Sequence, residues 1–304
     1  MPIRLVAVSR LAAVVLFVIA PAAAHAQGAP SPAVLPGQRY FASPLADPVE
    51  PRFAIGLLVT DLFQAQGRER SPFTVTAGDD TRDTQAAAAV GGTIPLLRLI
   101  QRPQGGIVIA AQAGVFARFR VEVPSRDDLG QDWVVGMPIE ARWNDLSARI
   151  RIVHRSAHLG DEFSAASGAQ RIEFGGETLD LLAAVRRAGM RAYGGGGWIF
   201  HSNTDNTDVL VREDRTDRFT LQAGADGSWR PWPEQRLGVV AGVDWQAAER
   251  TRWRSALSLA AGLEYRYDGR SAQLLFRLLD GASPMGQFFL TNERYASLEL
   301  VLGF

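Results

Sequence analysis

The chain ends in the sequence SLELVLGF, residues 297–304, which alternates without interruption between two kinds of side chain. The apolar positions are Leu298, Leu300, Leu302 and Phe304. The intervening positions are Ser297, Glu299, Val301 and Gly303. Because successive side chains of a β-strand point to opposite faces, this stretch predicts a strand with one apolar face and one mostly small or polar face.

The same two-residue period recurs through the second half of the chain. Between residues 253 and 266, one face carries Leu257, Leu259 and Leu263. The other face carries Ser258 and Glu264. Residues 237–245 and 272–279 alternate in the same way. An apolar face opposite a polar one, repeated along successive strands, is typical of a sheet with lipid on one side and a wet interior on the other.

Counting these segments predicts about twelve strands, with bounds uncertain by about two to four residues. Their spans are 53–63, 86–100, 105–121, 132–143, 147–157, 178–187, 191–201, 217–228, 236–247, 252–266, 270–280 and 293–304. Linkers after the second, fourth, sixth and tenth strands are short, and most of the others are longer. Membrane barrels have short periplasmic turns and long extracellular loops, so both ends of this sheet are expected in the periplasm.

The amino terminus predicts a secretory signal peptide at residues 1–26. Arg4 and Arg10 supply the positive end, and residues 11–20 form an apolar run too short for a stable membrane span. Ala24 and Ala26 flank His25 in a small-x-small cleavage pattern. Residues 27–51, rich in Pro, Ala and Gly, are predicted to form a periplasmic extension that is partly disordered.

Together these features predict an all-β chain. We expect residues 52–304 to form a single transmembrane antiparallel up-and-down β-barrel in the bacterial outer membrane after export. The terminal strand resembles the signal that such barrels present to their assembly machinery, with Leu300, Leu302 and Phe304 as its apolar positions. A large soluble β-sandwich is the alternative that the period alone leaves open, but the export signal and the terminal strand both favour the barrel.

Composition excludes several other classes. The chain has no cysteine, which excludes disulfides and thiolate metal sites. Its formal net charge is zero, so it carries no electrostatic footprint for nucleic acid. After the signal, no apolar stretch reaches the roughly 18 residues that a helical membrane span needs.

The densest group of reactive side chains is HRSAHLGDEF, residues 154–163, where the fifth predicted strand enters a long loop. Arg149 and Arg151 alternate with Ile150 and Ile152, so the arginines are expected inside and the isoleucines outside. His154, Ser156 and His158 continue the isoleucine series. A His and a Ser on one face of a strand, about 7 Å apart, predict an imidazole that activates a hydroxyl nucleophile.

This pattern resembles the H-x-S dyads of two outer-membrane barrel enzyme families, outer-membrane phospholipase A and lipid A deacylase. The resemblance implies a lipid-acyl hydrolase with Ser156 as nucleophile and His154 as base. Asp161, Glu162 and Glu173 are the candidates for an orienting acid, and Glu162 is taken as the third member. The wider catalytic motifs of both families are absent from this chain.

A broader resemblance covers most of the mature chain, from about residue 51 to residue 304. HRSAHLGDEF, RAYGGGGW at 191–198 and LDGASPMGQF at 279–288 resemble a family of predicted outer-membrane proteins, domain-of-unknown-function family 1207. Its members share an H-x-S-S-H-L-G-D-E core, from which Ala157 departs. The motif positions are His158, Gly160, Asp161, Asp280, Gly281, Gly286 and Gln287. The resemblance implies an outer-membrane barrel and no established activity.

Several hypotheses remain open at this point. The segment containing Gln287 is hypothesised to fold over the barrel mouth toward the segment containing Asp161. The polar cluster at residues 154–163 alternatively has a structural role, or it contacts lipopolysaccharide or a divalent cation. No cofactor is indicated, calcium is left open, and the ligands of any metal are unknown. Inward arginines alternatively line a narrow channel for small anionic solutes. The expected partners are outer-membrane lipids, lipopolysaccharide and the barrel assembly machinery.

Overall fold

The computed structural model describes residues 32–62, 83–122, 127–167, 171–203, 218–231, 234 and 236–304. Twelve antiparallel strands form a closed barrel. They are β2 (Phe53–Thr60), β3 (Asp83–Arg102), β4 (Gly105–Arg120), β5 (Asp128–Trp143), β6 (Leu146–Leu159), β7 (Phe174–Arg187), β8 (Met190–Ser202), β9 (Phe219–Trp229), β10 (Leu237–Ala248), β11 (Ser255–Tyr267), β12 (Arg270–Ala282) and β13 (Asn292–Gly303). A short strand, β1 (Ala33–Val34), pairs with the end of β3. The predicted signal peptide lies outside the described residues.

The barrel closes where its last strand pairs with its first. Leu298 of β13 lies opposite Leu57 of β2, and Leu300 lies opposite Ile55. Each strand from β3 to β12 pairs with its neighbours in sequence, so the barrel is a simple up-and-down meander. At the end of the seam, the rings of Phe304 and Phe53 meet edge to face, with centroids 5.3 Å apart. The predicted fold class is confirmed.

The two faces of the wall follow the predicted alternation. The outer face carries exposed apolar side chains, among them Leu57, Leu259, Leu274 and Leu298. The inner face carries buried polar and charged ones, among them Asp244, Glu264, Arg277 and Glu299. Burying charge is costly unless it is paired, so the lumen must satisfy these groups internally.

The observed strands extend beyond the predicted ones mainly at the end with the long loops. β3, β5 and β7 begin at Asp83, Asp128 and Phe174, three or four residues earlier than predicted. These added residues continue the ladder, as where Phe174 pairs with Ala157. The rim positions include polar residues and glycines, so the apolar alternation that marks a lipid-facing strand is lost there.

The structure corrects one expectation about the amino-terminal segment. Residues 39–52 lie inside the barrel, and we call them the plug segment. All but the last of them belong to the predicted periplasmic extension, residues 27–51. Phe41, Ala46, Asp47 and Glu50 are buried. The Pro-, Ala- and Gly-rich composition predicts disorder. The segment is instead ordered, because charged side chains of the lumen bind its backbone and side chains.

Contacts to the plug segment come from many strands around the barrel. Glu140 of β5 accepts hydrogen bonds from the backbone amides of Tyr40 and Phe41 at 2.9 and 3.1 Å. Arg277 of β12 donates to the carbonyl of Ala46 at 2.6 Å. Glu50 accepts from Arg149 of β6, also at 2.6 Å. The lumenal charges therefore form a network, and the plug segment provides several of its partners.

A second segment, at the end of the barrel with the long loops, also folds into the lumen. Residues 283–291, between β12 and β13, fold inward, and we call them the cap. Met285, Phe288 and Phe289 pack with Leu129, Phe163 and Phe174 in the largest apolar cluster of the described residues. Phe163 comes from the short helix α1 (Asp161–Ser167), which follows β6 directly. In the part of the chain that the structure describes, helices are too short or too polar to cross a membrane.

Candidate functional site

The outer face of β6 carries the predicted His and Ser near the end with the long loops. His154 and His158 are exposed and Ser156 is partly exposed, whereas the alternate residues Val153 and Ala157 are buried. The predicted parity is therefore confirmed. His154 and Ser156 point away from the lumen, with the roughly 7 Å separation that neighbouring same-face positions have.

A carboxylate on the next strand lies between two imidazoles. Glu177 of β7 is the register partner of both His154 of β6 and His201 of β8. One carboxylate oxygen is 2.9 Å from Nδ1 of His154. The other is 2.5 Å from Nδ1 of His201. The two hydrogen bonds order the three side chains in one row across the wall.

The contact with Glu177 decides which nitrogen of His154 is available for chemistry. A carboxylate beside Nδ1 favours the proton there, so the other nitrogen, Nε2, is left as the acceptor. This is the tautomer that a histidine base requires when it takes a proton from a serine hydroxyl. The side chains of His154 and Glu177 remain 47% and 31% exposed, so both are accessible from outside the barrel.

Ser156 has no hydrogen bond to His154 among the residues that the structure describes. Catalytic hydrogen bonds are often long before substrate binds and tighten in the complex, so this geometry is compatible with a base and its nucleophile. The outer face thus carries a hydroxyl, an imidazole two residues away and a carboxylate beside that imidazole, which are the residue types that hydroxyl-based acyl transfer uses.

The structure does not bring the predicted acid, Glu162, to this site. Glu162 lies in the first turn of α1, and within the described ranges no hydrogen bond or ion pair joins it to His154 or Ser156. Its neighbour Asp161 pairs with Arg171 instead. Glu177 could not be predicted from the sequence, because only the register of β6 against β7 places it beside His154. One signal was available, since Glu177 shares the parity of the outward Leu179 and so places a charge on an apolar face.

Other residues of the HLGDE motif build the corner between β6 and α1. A side chain at Gly160 would begin only 1.7 Å from the carbonyl oxygen of Asp128, so only glycine fits. The amide of Ser164 donates to the carbonyl of Gly160 at 3.0 Å, which starts the helix. His158, opposite Gln131, stays on the exposed outer face.

The second motif, LDGASPMGQF at residues 279–288, contacts this corner through the cap. Gln287 of the cap donates to the carbonyls of Ala157 and Ile172 at 2.7 and 2.8 Å, and its own side-chain oxygen accepts from the amide of Ile172 at 3.0 Å. A side chain at Gly286 would collide with Ala157 and Phe174. The hypothesis that the cap segment folds toward the HLGDE segment is confirmed.

The other two positions of that motif lie in β12. Asp280 is exposed and pairs with Arg294 at 3.0 Å. Gly281 has φ 137° and passes so close to the carbonyl of Ser255 that a Cβ would lie 2.0 Å from it. These residues hold the rim of β12 and do not reach the row of His154.

Inside the barrel, a cavity of about 220 Å³ remains between the plug segment and the cap. Its walls carry both charges, including Arg151, Asp180 and Asp244. Among the described residues, no three His, Cys, Asp or Glu side chains are grouped so that they could hold a metal ion. Calcium, which the sequence left open, therefore has no ligand set among these residues.

Comparison with known proteins places the chain in a family. A family model described as "Protein of unknown function (DUF1207)" matches residues 34–304. The chain belongs to this family. The match confirms the resemblance carried by the HRSAHLGDEF segment. No curated protein matches this DUF1207 chain in sequence.

Solved structures of outer-membrane enzymes are similar in fold to the DUF1207 chain. Outer membrane phospholipase A from Escherichia coli has 12% sequence identity and a TM-score of 0.53, over 84% of this chain and 98% of that one. The outer membrane phospholipase dimer with bound calcium from Salmonella typhi also has 12% identity and a TM-score of 0.53, over 84% and 94%. At this identity the similarity shows the fold alone, which is that of an outer-membrane barrel.

Proposed function

We propose that this protein is an outer-membrane acyl hydrolase that cleaves ester bonds of membrane lipids on the outer surface of its barrel. The observation that carries the proposal is the 2.9 Å contact between Nδ1 of His154 and Glu177, two residues from Ser156 on the same face. Glu177 and His154 have the acid–base contact of a catalytic triad, and Ser156 lies on the same face as that histidine.

The proposed reaction proceeds in two steps. Ser156 Oγ attacks the ester carbonyl carbon while Nε2 of His154 takes its proton, and Glu177 stabilises the imidazolium. The bond to the alcohol breaks, the alcohol leaves with that proton, and the acyl group stays on Ser156. Water, activated by His154, then releases a free fatty acid and restores the hydroxyl.

The surroundings of the site favour a lipid as substrate. Trp133, the register partner of Ser156, is 45% exposed on the outer face. Trp198 and Phe200 of β8 are also exposed and contact each other, with ring centroids 5.9 Å apart. Aromatic side chains concentrate where a barrel meets the lipid headgroups. A phospholipid or a lipopolysaccharide in the outer leaflet would present its ester bonds at this depth.

The proposal includes export and insertion. Removal of residues 1–26 would deliver the chain to the periplasm, and the barrel assembly machinery would recognise the terminal strand. Exposed Leu300, Leu302 and Phe304 support this, because they form the apolar face of that strand.

The narrow-channel alternative has less support. The plug segment crosses the lumen and binds its charges from several sides, as where Arg191 donates to the carbonyls of Ala42 and Ser43. Solute passage would require this segment to move. Anion-selective conductance steps of the wild-type protein in a planar bilayer would restore the hypothesis.

Acyl release by the refolded protein tests the proposal. Wild type and Ser156→Ala would be compared on phospholipid and on lipopolysaccharide, with and without calcium. Release should fall by about 10⁴-fold or more in the variant, because the nucleophile is lost. Ser255→Ala, an exposed outer serine on β11, is the matched control and should keep full activity.

Two outcomes would count against the proposal. One is the absence of release from folded wild type on both lipids. The other is equal release from wild type and Ser156→Ala. Heat-modifiable mobility on gels shows that each variant has formed its barrel.

A further inference from the structure

A second row of residues crosses the outer face of the barrel, starting two residues after His154 on β6. Ser156 of β6 lies opposite Gly175 of β7. The backbone N–H of Asn203, the residue after β8, donates to the Gly175 carbonyl at 2.9 Å. The row therefore runs Ser156, Gly175, Asn203. It is parallel to the row that contains the base and its acid.

The middle of this second row is empty. Gly175 shares the outward parity of Glu177, so a side chain there would project from the wall between Ser156 and Asn203. The nearest atoms to such a Cβ would be Nδ2 of Asn203 at 3.7 Å and the carbonyl oxygen of Arg155 at 3.9 Å. The glycine therefore leaves a gap, with a side-chain amide donor on the side away from Ser156.

The position of this gap, between a hydroxyl and an amide donor, suits a carbonyl group. A nucleophile approaches a carbonyl carbon to about 3 Å from a direction well off the C=O axis, and a donor lies about 2.9 Å from the carbonyl oxygen, so nucleophile and donor should be on the order of 6 Å apart. Directly opposite Cβ positions on paired strands are about 5 Å apart, and Asn203 Nδ2 lies beyond the Gly175 position.

We infer that the Gly175 gap receives the ester carbonyl of a membrane lipid and that Asn203 Nδ2 donates to its oxygen. The inference rests on the proposed hydrolase function. When Ser156 Oγ bonds to the carbonyl carbon, the C=O π bond breaks and its electron pair moves to the oxygen, while the serine proton moves to His154. Asn203 stabilises that oxyanion until the C–O bond to the alcohol breaks and the C=O bond re-forms. A donor aimed at developing negative charge lowers the barrier without holding the ground state more tightly.

Substitutions at Asn203 test the donor. Asn203→Ala should lower kcat for acyl release by about 10²- to 10³-fold with little change in KM, as expected for a contact made in the transition state. Asn203→Asp, similar in shape, should lose at least as much, because its carboxylate lacks N–H groups and repels the oxyanion. A merely structural role would instead be rescued by the aspartate.

Substitution at Gly175 tests the gap. Gly175→Val should fold, since its Cβ would make only ordinary contacts, yet it should abolish release by filling the carbonyl position. Gly194→Val is the matched control. Gly194 lies on the outer face of β8, where the nearest atom to an added Cβ would be 3.8 Å away, and the variant should keep wild-type kcat.

The results separate the inference from the function on which it rests. If wild type releases no fatty acid, the proposed function fails. If wild type is active and Ser156→Ala is inactive, but Asn203→Ala and Gly175→Val keep wild-type kcat, the function stands and the inference is overturned. Loss of activity in all three variants, with Gly194→Val active, supports both.

Discussion

Each carboxylate oxygen of Glu177 accepts from a different histidine on the outer wall. The two bonds measure 2.9 Å to His154 and 2.5 Å to His201. An exposed ion pair of this kind contributes little to stability, with a typical value of about 0–1 kcal/mol. The row is therefore better explained by what Glu177 does to the tautomer of His154 than by what it adds to the fold.

We predict that Glu177→Gln impairs catalysis while leaving the stability of the barrel unchanged. A glutamine can donate to Nδ1 and so favours the wrong tautomer, and it cannot stabilise an imidazolium. Acyl release should fall by about 10²- to 10⁴-fold. The free energy of unfolding in lipid vesicles should change by less than about 1 kcal/mol.

His201→Ala provides the comparison for that variant. It removes the other imidazole and leaves the contact between Glu177 and His154 in place, so its loss of activity should be much smaller. Equal losses in the two variants would show that the row works as one structural unit, and the role given to Glu177 would be wrong.

Among the elements, the cap joins two motifs that are far apart in sequence. Gln287 is almost fully buried and makes three hydrogen bonds to backbone groups of Ala157 and Ile172. Beside it, Asp132 of β5 accepts from the amide of Gly286 at 2.9 Å and pairs with Arg155. The polar bonds and the aromatic cluster together hold the end of β6, from which Ser156 projects on the other face.

We predict that Gln287→Ala loosens this end of the barrel. Unpaired buried backbone groups cost about 1–3 kcal/mol, so the free energy of unfolding should fall by roughly 2 kcal/mol. Hydrogen exchange at the amides of residues 157–167, 171 and 172 should accelerate, since their local opening becomes easier. Exchange at the opposite ends of β10 and β11, where Leu237 pairs with Tyr265, serves as the internal reference.

Gln287→Glu refines the test. The carboxylate keeps the shape and the acceptor but loses both donated hydrogen bonds, so its stability should be no better than that of alanine. A wild-type exchange pattern in both variants would mean that apolar packing alone holds the cap.

On the scale of the whole molecule, the plug segment replaces solvent as the partner of the lumenal charges. Arg149 is fully buried, and its guanidinium has Glu50 as its carboxylate partner at 2.6 Å. Burial by itself would raise the pKa of the Glu50 carboxyl. Arg149 and Arg151 outweigh that effect and lower its pKa to about 2.

We predict that Glu50→Gln destabilises the barrel in a pH-dependent way. Removing one partner of a buried ion pair leaves an uncompensated charge, which costs about 3–5 kcal/mol at neutral pH. Because the folded pKa lies below the normal value of 4.5, the stabilisation by Glu50 is present above about pH 4.5 and is lost as the pH falls toward 2. The difference in the free energy of unfolding between wild type and Glu50→Gln should therefore become smaller as the pH falls through that interval.

Urea unfolding in lipid vesicles at several pH values measures this difference. Glu173→Gln, a change at an exposed acid, is the control and should show no comparable difference at any pH. A difference that stays constant from neutral pH to pH 3 would contradict the assignment of a charged Glu50.

Local alternation was enough to predict the wall of the barrel. Whether a side chain of β13 or β11 faces lipid or lumen depends only on its parity, because the strand repeats every two residues. The twelve strands, the closure and the outward position of His154 and Ser156 followed from that period and from the loop lengths. Strand ends at the rim could not be predicted as well, because there the apolar signal stops before the pairing does.

Register and long-range contact were left to the tertiary structure. Glu177 lies beside His154, and Asn203 lies in the row of Ser156, only because β6, β7 and β8 pair in one particular alignment, and no short window of sequence contains that alignment. The plug segment is the same case at larger scale, since its Pro- and Ala-rich sequence indicates disorder until charges from many strands surround it. The sequence determined which faces the residues occupy, and the fold decided which of them meet, because parity is a local property of one strand whereas pairing depends on the whole closed sheet.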